Sequence, residues 1–239
     1  MSFLDASAIL DLWDDARGLD SVSRSVALSA AATPTMERVA VAELPLGRRN
    51  VRLLQLRSTW DRTAHEATTQ CPHCRAVLEF TIDPSTLLGA AEPGEIIPVR
   101  AEDRSIEWRP VTSNDLMEAA AESDVTGAER VIIDGCLVDR LAEDSLSDAE
   151  RSMLAAAIAA ADPLAEVLIH LDCADCGGTV TADLQIGDIV WGEIDRMARG
   201  ILADVDALAR AYGWTEHECL SLSPMRRAAY LEMIDGALV

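Results

Sequence analysis

Two short cysteine pairs, CPHC at residues 71–74 and CADC at residues 173–176, set the topology that this chain can adopt. Each C-x-x-C pair can present two thiolates on one tight turn, and each precedes a run of residues with strand character. Two such turns make a four-sulfur tetrahedral site, the usual geometry of structural zinc. The 98 residues between the pairs exceed the usual spacing of about 15–20. We therefore predict a long insertion closed by one metal ion.

The predicted ligands of this structural Zn²⁺ are Cys71, Cys74, Cys173 and Cys176. His73 lies inside the first pair and His170 lies three residues before the second, so either could replace a cysteine or be a bystander. Loss of the metal from one or both pairs stays open. A redox role is a further alternative, because C-x-x-C can lower a thiol pKa. That role usually comes with a thioredoxin-like βαβ context, whereas here strands follow the pairs.

The remaining cysteines, Cys136 and Cys219, sit in apolar runs with helical character. Lone cysteines of this kind usually behave as small buried hydrophobic residues. We therefore expect neither of them to bind metal or to react.

The net charge of −21 bounds the partners of this 239-residue chain. Such a chain repels phosphate backbones, whose binding depends on neutralisation by lysine and arginine. The charge reverses locally in residues 38–62, where six arginines face two acids. That segment could face an acidic partner, form a solvated strand face, or complement the acidic residues 101–150 internally. A hydrophobic content of 49% excludes global disorder and allows one large or two small domains.

The start of the chain and its hydropathy favour a cytoplasmic protein. Residues 1–17 carry acids where a signal peptide has a basic region and a long apolar core. No run of about 18 apolar residues occurs, so we expect no membrane span. Thiols stay reduced in the cytoplasm, which favours metal ligands over disulfides.

Hydrophobic periodicity predicts an α+β fold, with a zinc-ribbon-like β module built from the two cysteine pairs, a helical insertion and a C-terminal helical segment. Five segments follow: 1–37, N-terminal helical; 38–111, β-rich with the first pair; 112–163, a helical acidic insertion; 164–188, a hairpin with the second pair; and 189–239, a C-terminal helical docking segment.

The predicted strands are 39–44 and 51–57 around a hairpin loop at 45–50, then 77–82, 96–100, 106–111, 166–171 and 179–186. The predicted helices are 3–17, 22–32, 114–123, 128–141, one after the capping box Ser147–Glu150, 190–212, one after the capping box Thr215–Glu218, and one after Ser223-Pro224. The apolar stripe along 190–212 predicts a helix that packs its core or a partner.

Two C-terminal runs carry a family resemblance, VDALARAYGWTE at residues 205–216 and LSPMRRAAYL at residues 222–231. They resemble the baseplate or tail-assembly proteins of contractile phage tails and of extracellular contractile injection systems, including baseplate-hub assembly chaperones. Shorter agreeing pieces are LPLGRR at 44–49, LEF at 78–80 after the first pair, RPVTSNDL at 109–116 and DP at 162–163.

The resemblance implies a non-enzymatic structural or assembly protein of a baseplate. Its partners would be other baseplate, hub or spike subunits, and it would act either as a transient chaperone or as a resident of the assembled particle. The residues agree, because no G-x-S-x-G, H-E-x-x-H, P-loop or G-x-G-x-x-G motif is present. A four-cysteine zinc site also leaves no open coordination position.

Two other classes remain as alternatives. One is a zinc-ribbon nucleic-acid or transcription accessory protein, which the charge of −21 and the lack of a basic stripe with interleaved aromatics disfavour. The other is a metal- or thiol-dependent enzyme. We expect neither nucleic acid nor a membrane among the partners.

Overall fold

In the part of the chain that the structure describes, the fold mixes helices with three small antiparallel sheets. The computed structural model describes residues 5–89, 94–100, 105–138 and 146–237. Its helices are α1 (Ala6–Ala16), α2 (Ser21–Ala32), α3 (Arg38–Ala42), α4 (Leu46–Arg57), α5 (Pro84–Leu87), α6 (Ser113–Ala119), α7 (Val125–Cys136), α8 (Asp148–Ala161), α9 (Ile186–Tyr212), α10 (Glu216–Ser221) and α11 (Pro224–Ala237). Its strands are β1 (His65–Gln70), β2 (Val77–Ile82), β3 (Ile97–Arg100), β4 (Ser105–Trp108), β5 (Leu168–Asp172) and β6 (Thr179–Asp183). The predicted α+β class is confirmed at this level.

Each sheet is a two-stranded hairpin, pairing β1 with β2, β3 with β4, and β5 with β6. Gln70 lies opposite Val77 in the first hairpin, and Asp172 lies opposite Thr179 in the third. The loops of these two hairpins are therefore residues 71–76 and 173–178, which contain the cysteine pairs. Isolated two-stranded hairpins are marginally stable in water, so these two need support from elsewhere.

The chain divides into two compact units, each with its own core. Unit 1 comprises the described residues of Met1–Gly18 and Ile189–Val239, and unit 2 those of Leu19–Asp188. Both hairpins with cysteine loops belong to unit 2, together with the helical insertion between them.

In unit 2, the hairpin of β3 and β4 packs against α7 and α8. Trp108 is fully buried there beside Ile106, and Ile133, Leu137 and Leu154 complete the cluster. A second cluster joins α2 to α3 through Val26 and Val41. The first cluster buries one face of α7 and α8, which belong to the predicted insertion 112–163.

In unit 1, α1 packs against α9. Leu10 forms a buried cluster with Ala198 and Ile201, and Leu220 of α10 packs against it. Along α9, the side chains of Val190, Ile194, Ile201 and Leu208 are buried, whereas Tyr212 is exposed. The apolar stripe predicted along 190–212 is thus confirmed as mainly core.

The predicted strands 39–44 and 51–57, and the hairpin loop 45–50, are wrong, because helices α3 and α4 occupy this region. Residues 38–57 of the segment expected to be β-rich are therefore mostly helical. In α4 the buried residues are Leu46, Gly47, Arg49, Asn50, Leu53, Leu54, Leu56 and Arg57. Their spacing of three to four is helical. Two of these buried residues are arginines, which a search for hydrophobic positions leaves out. The hydrophobic residues that remain resembled the alternation of a strand.

Those arginines bond within the protein and leave no solvated strand face. Arg49 donates to Ser113 Oγ (3.0 Å) and to Asn50 Oδ1. Burial lowers the pKa of Arg49 to about 10, and the charge of Asp162 opposes that effect. Arg57 donates to the carbonyl oxygen of Thr63 (2.9 Å).

The other predicted elements shift mainly at their ends. The helices predicted at 114–123 and 128–141 are Ser113–Ala119 and Val125–Cys136, and the strands predicted at 106–111 and 179–186 end at Trp108 and Asp183. Both predicted capping boxes are confirmed, at Ser147 and Thr215. Residues 3–4 and 139–141 of the predicted helices lie outside the described residues.

A buried polar network ties together residues that are far apart in unit 2. The Gly47 N–H donates to Asp162 Oδ2 (2.8 Å), and the Asn50 side chain donates to the carbonyl oxygen of Leu164 (2.7 Å). The N–H of Leu46 donates to the carbonyl oxygen of Val111 (2.9 Å). These hydrogen bonds therefore anchor the start of α4 both to the end of α8 and to the segment that precedes α6.

Among the described residues, no helix is both long enough and apolar enough to span a membrane.

The Gly47→Ala substitution should lower the free energy of unfolding by about 1–3 kcal/mol, the usual cost of overpacking. A Cβ at this position would lie 1.9 Å from Asp162 Oδ1, so the helix or the carboxylate must move. Urea denaturation followed by circular dichroism measures the change. Gly200→Ala is the control, because that helical glycine has no heavy atom within 4 Å of an added Cβ. It should stabilise by up to about 1 kcal/mol. A Gly47→Ala protein as stable as the wild type would contradict the role given to this contact.

A candidate metal centre

The cysteine pairs occupy hairpin loops with the same backbone geometry. In the first loop, the Cys71 N–H donates to the carbonyl oxygen of Ala76 (2.8 Å), and the Arg75 N–H donates to that of Cys71 (2.9 Å). The second loop repeats both bonds, from Cys173 N–H to Gly178 (2.9 Å) and from Gly177 N–H to Cys173 (2.8 Å). Because the backbone hydrogen bonds repeat, each loop holds its two cysteines in the same way.

The two loops meet, as the sequence predicted. The sulfur atoms of Cys71 and Cys176 are 3.7 Å apart, and those of Cys74 and Cys173 are 3.6 Å apart. All four sulfur atoms lie within 4.8 Å of one another, and none forms a disulfide. The four cysteines could therefore hold a single metal ion between them. In the part of the chain that the structure describes, this is the one such group of three or more histidine, cysteine or acidic side chains.

Burial is the same in the two loops. The first cysteine of each pair, Cys71 and Cys173, is buried, and the second, Cys74 and Cys176, is exposed. Val180 is buried beside them, and three further apolar side chains pack against this cluster, those of Ala76, Leu78 and Leu171. The cluster is small, so apolar packing alone contributes little to holding the hairpins together.

The thiols of Cys71 and Cys74 differ in how readily they ionise. The Cys74 backbone N–H, with that of His73, lowers the pKa of the Cys71 thiol to about 6 although burial opposes this. The Ala76 N–H also favours the Cys74 thiolate. Partial desolvation of its sulfur atom and the neighbouring thiols of Cys173 and Cys71 nevertheless raise the pKa of Cys74 to about 12. Thiolates are the metal-binding form, so a bound cation would draw further protons off the cluster.

The histidines that could have replaced a cysteine do not join the sulfur cluster. The His73 ring lies over the second loop, where a Cβ on Gly178 would be 2.7 Å from its Cδ2. His170 Nδ1 lies 3.1 Å from Thr181 Oγ1 on the surface of the third hairpin. Cys136 and Cys219 are buried outside the cluster, as predicted, and burial raises the pKa of Cys136 to about 12.

Sequence reasoning missed strand β1, which leads into the first loop. Its residues HEATTQ are polar, although their burial alternates along the strand. Alternation was the available signal, but it rests on half-buried alanine and threonine and was too weak to predict a strand.

Arg75 and Gly177 occupy matching positions in the two loops, and both have a positive φ, 66° and 70°. A left-handed conformation costs a residue with a side chain about 1–2 kcal/mol. Arg75→Gly should therefore raise the free energy of unfolding by about 1 kcal/mol, as measured by urea denaturation. Arg75→Ala is the control and should give no such gain, because the alanine keeps the strained φ. Gly177→Ala should destabilise by a similar amount, although no heavy atom lies within 4 Å of an added Cβ. Equal free energies of unfolding for all three variants would contradict the prediction, because they would show that positions 75 and 177 do not keep a positive φ in solution.

Comparison of this chain with models of known protein families, with curated proteins and with solved structures gave no match. The case for its function therefore rests on its own residues.

Proposed function

We propose that this chain is a non-enzymatic structural or assembly protein of a contractile-injection or phage-tail-like baseplate, held in shape by a structural zinc ion. The observation that carries the proposal is the convergence of four cysteines from two remote loops. The baseplate assignment draws on the resemblance of residues 205–216 and 222–231 to such proteins.

The sulfur geometry supports zinc. Zinc binds cysteine sulfur at about 2.3 Å, and a regular tetrahedron of that size has sulfur–sulfur edges of about 3.8 Å. Two of the six sulfur–sulfur separations are 3.7 and 3.6 Å, and all six are at most 4.8 Å. All four positions would be filled by protein ligands, so a bound zinc would keep no site for water or substrate. This supports a structural role over catalysis.

The free energies involved also support a metal ion that holds the two loops together. Closing a loop of about 100 residues costs on the order of 4 kcal/mol in chain entropy. Binding of structural zinc to small domains contributes roughly 10–16 kcal/mol at neutral pH. The free energy of zinc binding would therefore exceed the entropic cost of closing the loop. The apolar cluster around Val180 is small and contributes much less.

The C-terminal residues that carry the resemblance form a compact aromatic group in unit 1. Gly213 has φ 72°, which ends α9 and lets Trp214 stack on Tyr212 with ring centroids 4.7 Å apart. Tyr230 of α11 meets Trp214 edge-on at 4.9 Å. On α11, Met225 is 84% exposed and offers an apolar side chain to a partner.

The metal is tested by mass spectrometry of the protein purified without chelators. We expect one zinc per chain, and close to none in a Cys74→Ser, Cys176→Ser double variant, because two thiolates cannot hold the ion. Cys136→Ala is the control and should keep its zinc, since Cys136 lies outside the cluster. Wild-type protein without metal, or a double variant that retains it, would contradict the zinc assignment.

The docking role is tested by removing residues 214–239. This truncation should abolish binding to baseplate, hub or spike subunits in co-expression pull-downs, yet leave the zinc content unchanged because the cysteines lie in unit 2. It also removes Leu220 from the core of unit 1. A milder variant is therefore Met225→Glu with Met233→Glu, and Val125→Glu is its control at 83% exposure. Truncated protein that still assembles into particles would show that this segment does not dock.

A further inference from the structure

A groove of about 570 Å³ opens on unit 1 along α1 and α9. Its lining residues are Trp13, Arg17, Gly18, Trp191, Asp195 and Arg199. The volume falls in the range of about 300–1,000 Å³ that is usual for binding sites. The groove lies on a different unit from the cysteine cluster.

The lining is unusual for this chain. Only 4% of its residues are aromatic, yet two of its five tryptophans meet here. Two arginines stand beside them. Tryptophan and arginine are the residue types that most often carry the binding energy of an interface. Their meeting in one concave surface favours recognition of a partner over simple packing.

Contacts within the lining hold Trp13, Asp195 and the two arginines near one another in the protein alone. The indole N–H of Trp13 donates to Asp195 Oδ1 (2.8 Å), and the guanidinium of Arg17 lies 4.8 Å from the centre of the Trp13 ring. Asp195 Oδ2 accepts from Arg199 Nε (2.8 Å). When a partner binds, these side chains would therefore lose little conformational freedom.

The charges of the lining favour an anionic partner. Two arginines and one aspartate give a local charge of +1 in a chain whose net charge is −21. Hydrogen bonds from Arg199 and Trp13 lower the pKa of Asp195, so its charge is already held by two donors. The side chains of Arg17 and Arg199 are 58% and 69% exposed, so both can reach a ligand.

Other ligand chemistries fit this lining less well. A cationic ligand would meet Arg17, which already lies over the Trp13 ring. An uncharged apolar ligand would take two guanidinium groups out of water without a counter-charge, which is costly. A carboxylate can accept two parallel bonds from an arginine fork. Asp14 is a weak competitor, because it lies 3.8 Å from Arg17 on the open surface.

We propose that this groove binds an acidic linear segment of another protein. Its carboxylates would meet Arg17 and Arg199, and an apolar or aromatic side chain of the segment would lie against Trp13 and Trp191. The inference depends neither on zinc nor on a role in a baseplate, because every contact that carries it lies in unit 1.

The test is selection of a random peptide library, displayed on phage, against the full-length protein. We expect the enriched sequences to combine aspartate or glutamate with an apolar or aromatic residue. A synthetic, fluorescein-labelled consensus peptide should then bind in fluorescence polarisation. Binding should weaken at least tenfold, or about 1.4 kcal/mol, in an Arg17→Ala, Arg199→Ala double variant. It should also weaken as salt is raised.

Arg210→Ala is a matched control. Arg210 lies on the same helix and makes the same ion pair with the residue four positions earlier, Asp206, at 2.9 Å, but it is outside the groove. The affinity of the Arg210→Ala protein for the peptide should stay within twofold of that of the wild type. Enriched peptides without acidic residues, equal losses in both variants, or no enrichment would overturn the proposal. So would a dimer of the free chain that the double variant dissolves, because the groove would then hold a second copy.

Discussion

The meeting of four sulfur atoms is the constraint on which the arrangement of unit 2 depends. In the two sulfur pairs that lie 3.7 and 3.6 Å apart, the cysteines are separated by 105 and 99 positions in the chain. Each hairpin has only two strands, and the apolar side chains around the sulfur atoms are few. A cation shared by both loops would fix the two hairpins against each other and close the helical insertion, and it would bring further thiols into the ionised form.

The polar network around α4 has a complementary role in unit 2. Gly47 bonds to Asp162 and Arg49 bonds to Ser113, so the segments 44–49, 109–116 and 162–163 converge. These are three of the four short pieces on which the proposed resemblance draws. Their side chains maintain the fold from within. The surfaces that we propose for partners are elsewhere, at the exposed methionines of α11 and in the tryptophan groove.

The two sites differ in what they can do. At the cysteine cluster four protein ligands surround one position, and two of the four are buried. That arrangement suits a permanent structural ion. The groove of unit 1 presents exposed guanidinium groups beside two indole rings, an arrangement that suits reversible recognition. Because the two sites lie on separate units, substitutions can test metal binding and the recognition of a partner independently.

The sequence by itself determined the features that a few neighbouring residues encode. The C-x-x-C pairs, strand β2, the capping boxes at Ser147 and Thr215, and the apolar stripe of α9 all follow from local spacing and side-chain chemistry. Tertiary structure decided what depends on distant partners. Arg49 can be buried in α4 because Ser113, 64 positions further along the chain, accepts its hydrogen bond, and no local pattern shows where that acceptor lies. Trp13 meets Asp195 across 182 positions. Local periodicity fixes how a segment folds, whereas the burial of a charge or an indole depends on which remote group receives its hydrogen bond.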